Sequence, residues 1–287
     1  MASFEMVKYH KKKYPEHIPI HFEEIAAHFD IEEINPSLGV SLHTEYSYGK
    51  RKFQSALIQR YPEIIHAQNM GVPQLWKNER WALEFAEFLI ALVGKKYQPS
   101  IIEIHPPFND YSSMGSFMAT YHCFEERVLE EFPNVAILIE NRSGTVYRGG
   151  KFILSRIEDL LLLCEHISMN NSSLRLALDI PQLYTAHDAS EVDEIVGLLH
   201  EVHNIRDYIE GIHLWGKKLN ASGRKIVHSG DLNTYFNDAE TKAAFLNEFS
   251  KCFSDGKIRK MVLEVNSKNE DLLSIIADLE SSNVNFV

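Results

Sequence analysis

Six residues could do chemistry together, because each closes or nearly closes a short apolar run. They are His66 in EIIHA (63–67), His105 in SIIEIH (100–105), Glu140 in VAILIE (135–140), Asp179 in LRLALD (174–179), His213 in IEGIHLW (209–215) and Glu264 in MVLEV (261–265). Imidazole and carboxylate without thiolate suit Zn2+, Mn2+ or Fe2+ better than Mg2+ or Ca2+. Taken singly, a histidine after a strand is most often a hydrogen-bonded core or loop residue. Glu140 before Asn141 could be a helix-capping acid, and Asp179 before Ile180 and Pro181 could start a turn. Taken jointly, such groups buried without partners would cost several kcal/mol, about what unpaired polar groups cost, and a divalent cation removes that cost. Six ligands exceed the need of one catalytic ion that keeps an open position. Two ions sharing a carboxylate would use them all.

Such a set needs a scaffold that gathers strand ends. With LGVSLH (38–43) and VNFV (284–287), the runs number eight, and amphipathic stretches such as ERWALEFAEFLIALVGKK (79–96) and LSRIEDLLLLCEHI (154–167) lie between them. Alternation of this kind implies a parallel sheet with helical crossovers. Eight units closing on themselves imply a (β/α)8 TIM barrel of the α/β class, whose active site lies at the C-terminal rim of the strands. From His66 the ligand positions follow at steps of 39, 35, 39 and 34 residues, each suiting one strand, one helix and two loops. The last step, His213 to Glu264, is 51 residues, so a long loop is expected at 217–233. No linker interrupts the run, and the expectation is one domain over 1–287, with 1–37 as a leading helical extension.

Composition narrows the partners. Lys+Arg 29 against Asp+Glu 40 leaves a net charge of −11, unfavourable for general binding to a phosphate backbone. No apolar run approaches the length of a membrane span and the first residues lack the apolar core of a signal peptide. Cys123, Cys164 and Cys252 are odd in number and far apart, giving neither a disulfide framework nor a CxxC site. The expectation is a soluble protein of a reducing compartment, the cytoplasm.

The ordered series ILIENRSG (137–144), LALDIPQLYTAH (176–187), GIHLWGK (211–217) and VLEVN (262–266) resembles the xylose isomerase-like barrel superfamily. Adding IIHAQ (64–68) and IEIHPP (102–107) narrows the resemblance towards the endonuclease IV branch, the family 2 apurinic/apyrimidinic endonucleases. The resemblance spans roughly residues 60–266. It implies that His66 and His105 hold one ion, that Glu140 bridges to a second, and that Asp179, His213 and Glu264 complete the second. The family's third ion takes a histidine three residues after the aspartate and an Asp-x-His in the long loop. Gln182 stands at the first position and Ile226 with His228 at the loop pair, so two ions rather than three are expected. The family also wedges bulky residues into the duplex after its second strand, where this chain has Asn69 and Met70.

Three functions remain open at this stage. The first is a metal-dependent phosphoesterase, in which Glu140, Glu264 and His228 do the chemistry. Gln182, Asn141 and Lys217, with Lys218, Arg224 and Lys225 nearby, would contact the substrate. The second is a sugar isomerase or epimerase with one ion and Glu140 and Glu264 as the acid–base pair. The third is a non-catalytic relative. His66 with His105 favours the two-ion site and hence hydrolysis of a small phosphorylated or sugar-containing substrate rather than duplex DNA.

Overall fold

Burial alternates from the second residue onward: Ala2, Phe4 and Met6 are buried in a strand, β1 (Ala2–Lys8). A computed structural model describes residues 1–27, 35, 37–44, 56–72, 74–94, 97–220, 222–236 and 238–287. After β1 come β2 (Ile20–Ala26), β3 (Gly39–His43), β4 (Pro99–Ile104), β5 (Ala136–Glu140), β6 (Arg175–Asp179) and β7 (Ile209–Leu214). A short hairpin follows, β8 (Lys218–Leu219) with β9 (Lys225–Ile226), and then β10 (Ile258–Leu263) and β11 (Val284–Phe286). The helices are α1 (Pro62–Asn69), α2 (Glu79–Val93), α3 (Met114–Glu131), α4 (Ile157–Asn170), α5 (Ile180–Ala186), α6 (Val192–His203), α7 (Leu232–Phe236), α8 (Ala239–Cys252) and α9 (Asn269–Ser281).

The hydrogen-bonded order is β10-β7-β6-β5-β4-β3-β2-β1, and β10 pairs again with β1. The fold is a (β/α)8 barrel of eight parallel strands with surrounding helices. Because β10 runs along Ser3–Val7 on one edge of β1, the other edge is shared. There β11 pairs with Ala2–Phe4 and β2 with Met6–Lys8. VNFV is therefore a strand, as expected, but an added one, and the barrel takes β1 and β2 from the first 26 residues instead.

Two expectations from the sequence are corrected here. Residues 1–37 are not a helical extension: 2–8 and 20–26 are barrel strands, while 28–34 and 36 lie outside the described residues. EIIHA is not a strand: it forms most of α1, which starts with Pro62 in its first turn. Proline there loses no helical hydrogen bond and presets the helical φ. Ile64 and Ala67 face inward at helical spacing, and His66 is left exposed.

The chain divides into two compact units, a central one (Glu24–Leu176) and a terminal one (Met1–Glu23 with Ala177–Val287). In the central unit, Trp76 sits among Trp81, Phe85, Phe117, Tyr121 and Phe124, with ring centroids 5.1–6.0 Å away. These are T-shaped contacts, the geometry aromatic quadrupoles favour. They lock α2 against α3, and Trp76 Nε1 donates to the carbonyl of His105 at 2.7 Å. The core thus reaches directly to a ligand position. In the terminal unit Phe4 of β1 stacks on Phe249 at 5.6 Å, and Phe245, Phe249 and Phe253 continue the row along and just beyond α8. Among the described residues, no helix is long and apolar enough to cross a membrane.

Candidate metal centre

Strand register assembles the ligands of the central unit. His43 of β3 lies opposite Glu103 of β4, and Ile104 lies opposite Ile139 of β5, which brings the next residues, His105 and Glu140, together. His105 Nε2 is 2.6 Å from Glu140 Oε2, and both residues are buried. His43 Nε2 is 3.8 Å from the same oxygen, and the two imidazole centroids are 5.1 Å apart. On its other side His43 Nδ1 is 3.5 Å from both Glu24 Oε2 and Glu103 Oε1. Arg142 Nη1 donates to both oxygens of Glu140 at 3.1 Å.

Charge follows geometry in this cluster. Burial pulls the His43 pKa down, but the carboxylates of Glu103, Glu24 and Glu140 outweigh it and raise the imidazole to about 10. His105 is lowered: burial dominates over the attraction of Glu140. One imidazole is therefore held charged and its neighbour neutral. The short His105–Glu140 contact is a hydrogen bond between two potential ligand atoms, the proton occupying a place a cation could take. Ligand atoms of His43, His105 and Glu140 all lie within 4.8 Å of one another, so two nitrogens and an oxygen fit a zinc-type ion after a small contraction.

The terminal unit carries a second set. Asp179 ends β6 and caps α5: its Oδ1 accepts from the Gln182 backbone N–H at 2.8 Å. Its Oδ2 accepts from Gln182 Nε2 at 2.8 Å and from Trp215 Nε1 at 2.9 Å. These three donors orient the carboxylate as second partners of a metal ligand do. His213 Nδ1 is 3.2 Å from Glu264 Oε1, and His228 Nδ1 is 3.2 Å from Glu264 Oε2. Burial pushes the Glu264 pKa up, but His213 and His228 outweigh it, and the carboxyl lies well below its ordinary range. Asp179, His213 and Glu264 again place ligand atoms within 4.8 Å of one another. Two carboxylates and an imidazole are the donor set of a hard to borderline divalent ion.

Each residue expected from the sequence has a definite place. His105 and Glu140 meet in the central unit; Asp179, His213 and Glu264 meet in the terminal unit, joined by His228. Asn141 is fully buried beside Glu140. Gln182 is spent on Asp179 through both backbone and side chain. Lys217 lies over the Tyr235 ring at 4.1 Å, half-buried, and burial first and Lys225 second lower its pKa. Ile226 is exposed on the hairpin. His66, on α1, joins neither set, and His43 is the histidine that meets His105 and Glu140. The signal for His43 was present, since LGVSLH also ends in histidine. Glu24, Glu103 and Arg142 gave no comparable local signal.

His228 is held at an uncommon φ of 53°, its ring 4.4 Å from that of Trp215. The backbone on either side of it is closely packed: Ser229 N–H donates to Gly216 O at 2.8 Å. A Cβ on Gly216 would lie 2.4 Å from the carbonyl carbon and oxygen of Gly230. Gly216→Ala is therefore expected to destabilise the protein by roughly 1–3 kcal/mol, the usual cost of overpacking. It should also weaken ion binding at the terminal set by displacing His228. Thermal unfolding together with a zinc titration checks both; unchanged values in both would contradict the tight approach.

No protein-family description and no curated protein sequence matches the chain. Among solved structures, the crystal structure of AsfvAP:AG is similar at 11% identity and TM-score 0.56, covering 98% of each chain. The apo 3-keto-D-glucoside 4-epimerase YcjR of E. coli is 12% identical over 97% of this chain and 98% of its own, with TM-score 0.49. An AP endonuclease of family 2 from Brucella melitensis is 11% identical over 96% of this chain and 98% of its own, with TM-score 0.48. At such identities the likeness is one of fold alone, the (β/α)8 barrel.

Proposed function

We propose that the protein is a divalent-metal-dependent hydrolase of phosphate esters. In this reading each unit's ligand set holds one ion: His43, His105 and Glu140 in the central unit, Asp179, His213 and Glu264 in the terminal unit. The observation that carries the proposal is the presence of a three-residue set in each unit, each mixing imidazole with carboxylate. When bound, a divalent ion, zinc or otherwise manganese or iron, supplies Lewis acidity at a phosphoryl group. Around it the chain's own residues would bind and orient. Glu140 in the central unit and Glu264 in the terminal unit would each balance the charge of the ion its own set holds, and His228, which meets Glu264, would hand a proton to the leaving oxygen. Lys217 would contact the substrate, while Gln182 fixes Asp179 and Asn141 packs beside Glu140. In a single-ion sugar isomerase or epimerase the imidazole pair His43 and His105 would contact the substrate instead of holding an ion.

Net charge −11 supports a small phosphorylated or sugar-containing substrate over duplex DNA; with EIIHA in α1, Asn69 and Met70 no longer follow a second strand and say nothing of a duplex wedge. The free thiols Cys123, Cys164 and Cys252 fit a cytoplasmic location. Metal content of protein purified without chelator tests the reading, together with turnover of a small phosphate ester. Two ions per chain with metal-dependent hydrolysis is the expected result. One ion with sugar isomerisation would replace the proposal by the isomerase reading, with Glu140 and Glu264 as its acid–base pair.

A further inference from the structure

Arg142 is the one arginine in contact with a ligand set among the described residues, and its surroundings hold it rigidly. Its backbone N–H donates to Leu154 O at 2.8 Å, pinning the segment after β5. Its guanidinium lies over the Phe152 ring, 5.6 Å from the centroid, and Phe152 is itself stacked on Phe108 at 4.0 Å. At the other end Nη1 bonds both oxygens of Glu140 at 3.1 Å. The side chain keeps 12% of its surface exposed, whereas that of Glu140 keeps 1%. The arginine is thus fixed between an aromatic plate and a ligand carboxylate, and is accessible where the carboxylate is not.

A permanent positive charge is a poor choice merely to orient a metal ligand. It repels the cation that the ligand is to hold, and a neutral donor such as the tryptophan and glutamine on Asp179 would do that work. The charge becomes favourable once an anion is present, because a guanidinium fork matches the oxygens of phosphate in a planar, two-point contact. We infer that Arg142 is a substrate-contacting, specificity-determining residue of the central unit, which binds a phosphate oxyanion of the substrate beside the ion held by His43, His105 and Glu140. The inference rests on the hydrolase reading above and deepens it, since it makes the anionic group a requirement of the site rather than an incidental part of the substrate.

The test is binding of inorganic phosphate, and of glucose as a neutral control, to the zinc-loaded protein by calorimetry, with zinc content measured in parallel. Wild type should bind phosphate and not glucose. Arg142→Ala should keep its zinc and lose about tenfold or more in phosphate affinity, as expected for removing a charge-assisted hydrogen bond. Arg142→Lys should recover only part, having the charge without the fork. Arg142→Gln, which keeps size and a donor, serves if the alanine variant does not fold, and should show the same loss. Unchanged phosphate affinity in the neutral variants overturns the inference. So does parallel loss of zinc and phosphate, which would make Arg142 a positioning residue for Glu140. Failure of the hydrolase reading looks different: wild type takes up no zinc, and the phosphate comparison is then made on ion-free protein, where equal affinities would again overturn the role of Arg142.

Discussion

His43→Ala is expected to remove one of two zinc ions from the chain, while His66→Ala removes neither. His43 places its Nε2 3.8 Å from Glu140 Oε2 at the end of β3, whereas His66 is exposed on α1. Losing an outer partner of a metal ligand costs about 10–100-fold in affinity. Losing one ligand of three should therefore exceed that upper figure at the central set, formed by His43, His105 and Glu140. Competition with a zinc chelator, read as two separable sites, measures both. If His66→Ala loses an ion or His43→Ala retains both at full affinity, the assignment of the central set is wrong.

Zinc binding at the central set should release about one proton and strengthen about tenfold for each pH unit, since metal ligands must be deprotonated. The sign follows from the two imidazoles. The pKa of His43 is raised to about 10, so near neutral pH the ion must displace a proton from it. The pKa of His105 is lowered, so it contributes little to proton release above neutral pH. The same shift affects the ion-free protein. A histidine whose folded pKa exceeds its unfolded value stabilises fully below about 6.5, and that contribution fades as pH rises towards 10 at roughly 1.4 kcal/mol per pH unit. Raising pH should therefore weaken the ion-free fold and strengthen ion binding. Calorimetry in two buffers of different protonation enthalpy, between pH 6.5 and 8.5, counts the proton, and His43→Gln should abolish it. A flat pH profile with no proton released would refute the charged state of His43.

Short apolar runs with a polar residue at the end were legible because a buried parallel strand is mostly apolar on both faces before it reaches the rim, Glu103 and Arg259 being the buried charged exceptions in β4 and β10. That is why β4, β5, β6, β7 and β10, and with them His105, Glu140, Asp179, His213 and Glu264, stand where the residue pattern puts them. The barrel itself followed from the alternation of such runs with amphipathic helices.

Where the pattern was short, it did not decide. ASFEMVK mixes three charged or polar residues into seven and became β1 only through its pairing with β10, β11 and β2. EIIHA is five residues long, consistent with strand or helix, and Pro62 with the inward packing of Ile64 and Ala67 settled it as helix. The exchange of His66 for His43 follows from that one choice. Arg142 is two residues beyond a ligand, where the sequence shows only a charge. Its meaning came from the stack of Phe108 and Phe152 and from the carboxylate it meets. By itself the sequence determined which strands end in imidazole or carboxylate, because burial forces composition along a strand; which of these groups meet, and which charges hold them, depended on register and loop packing, contacts between residues tens of positions apart that no local pattern encodes.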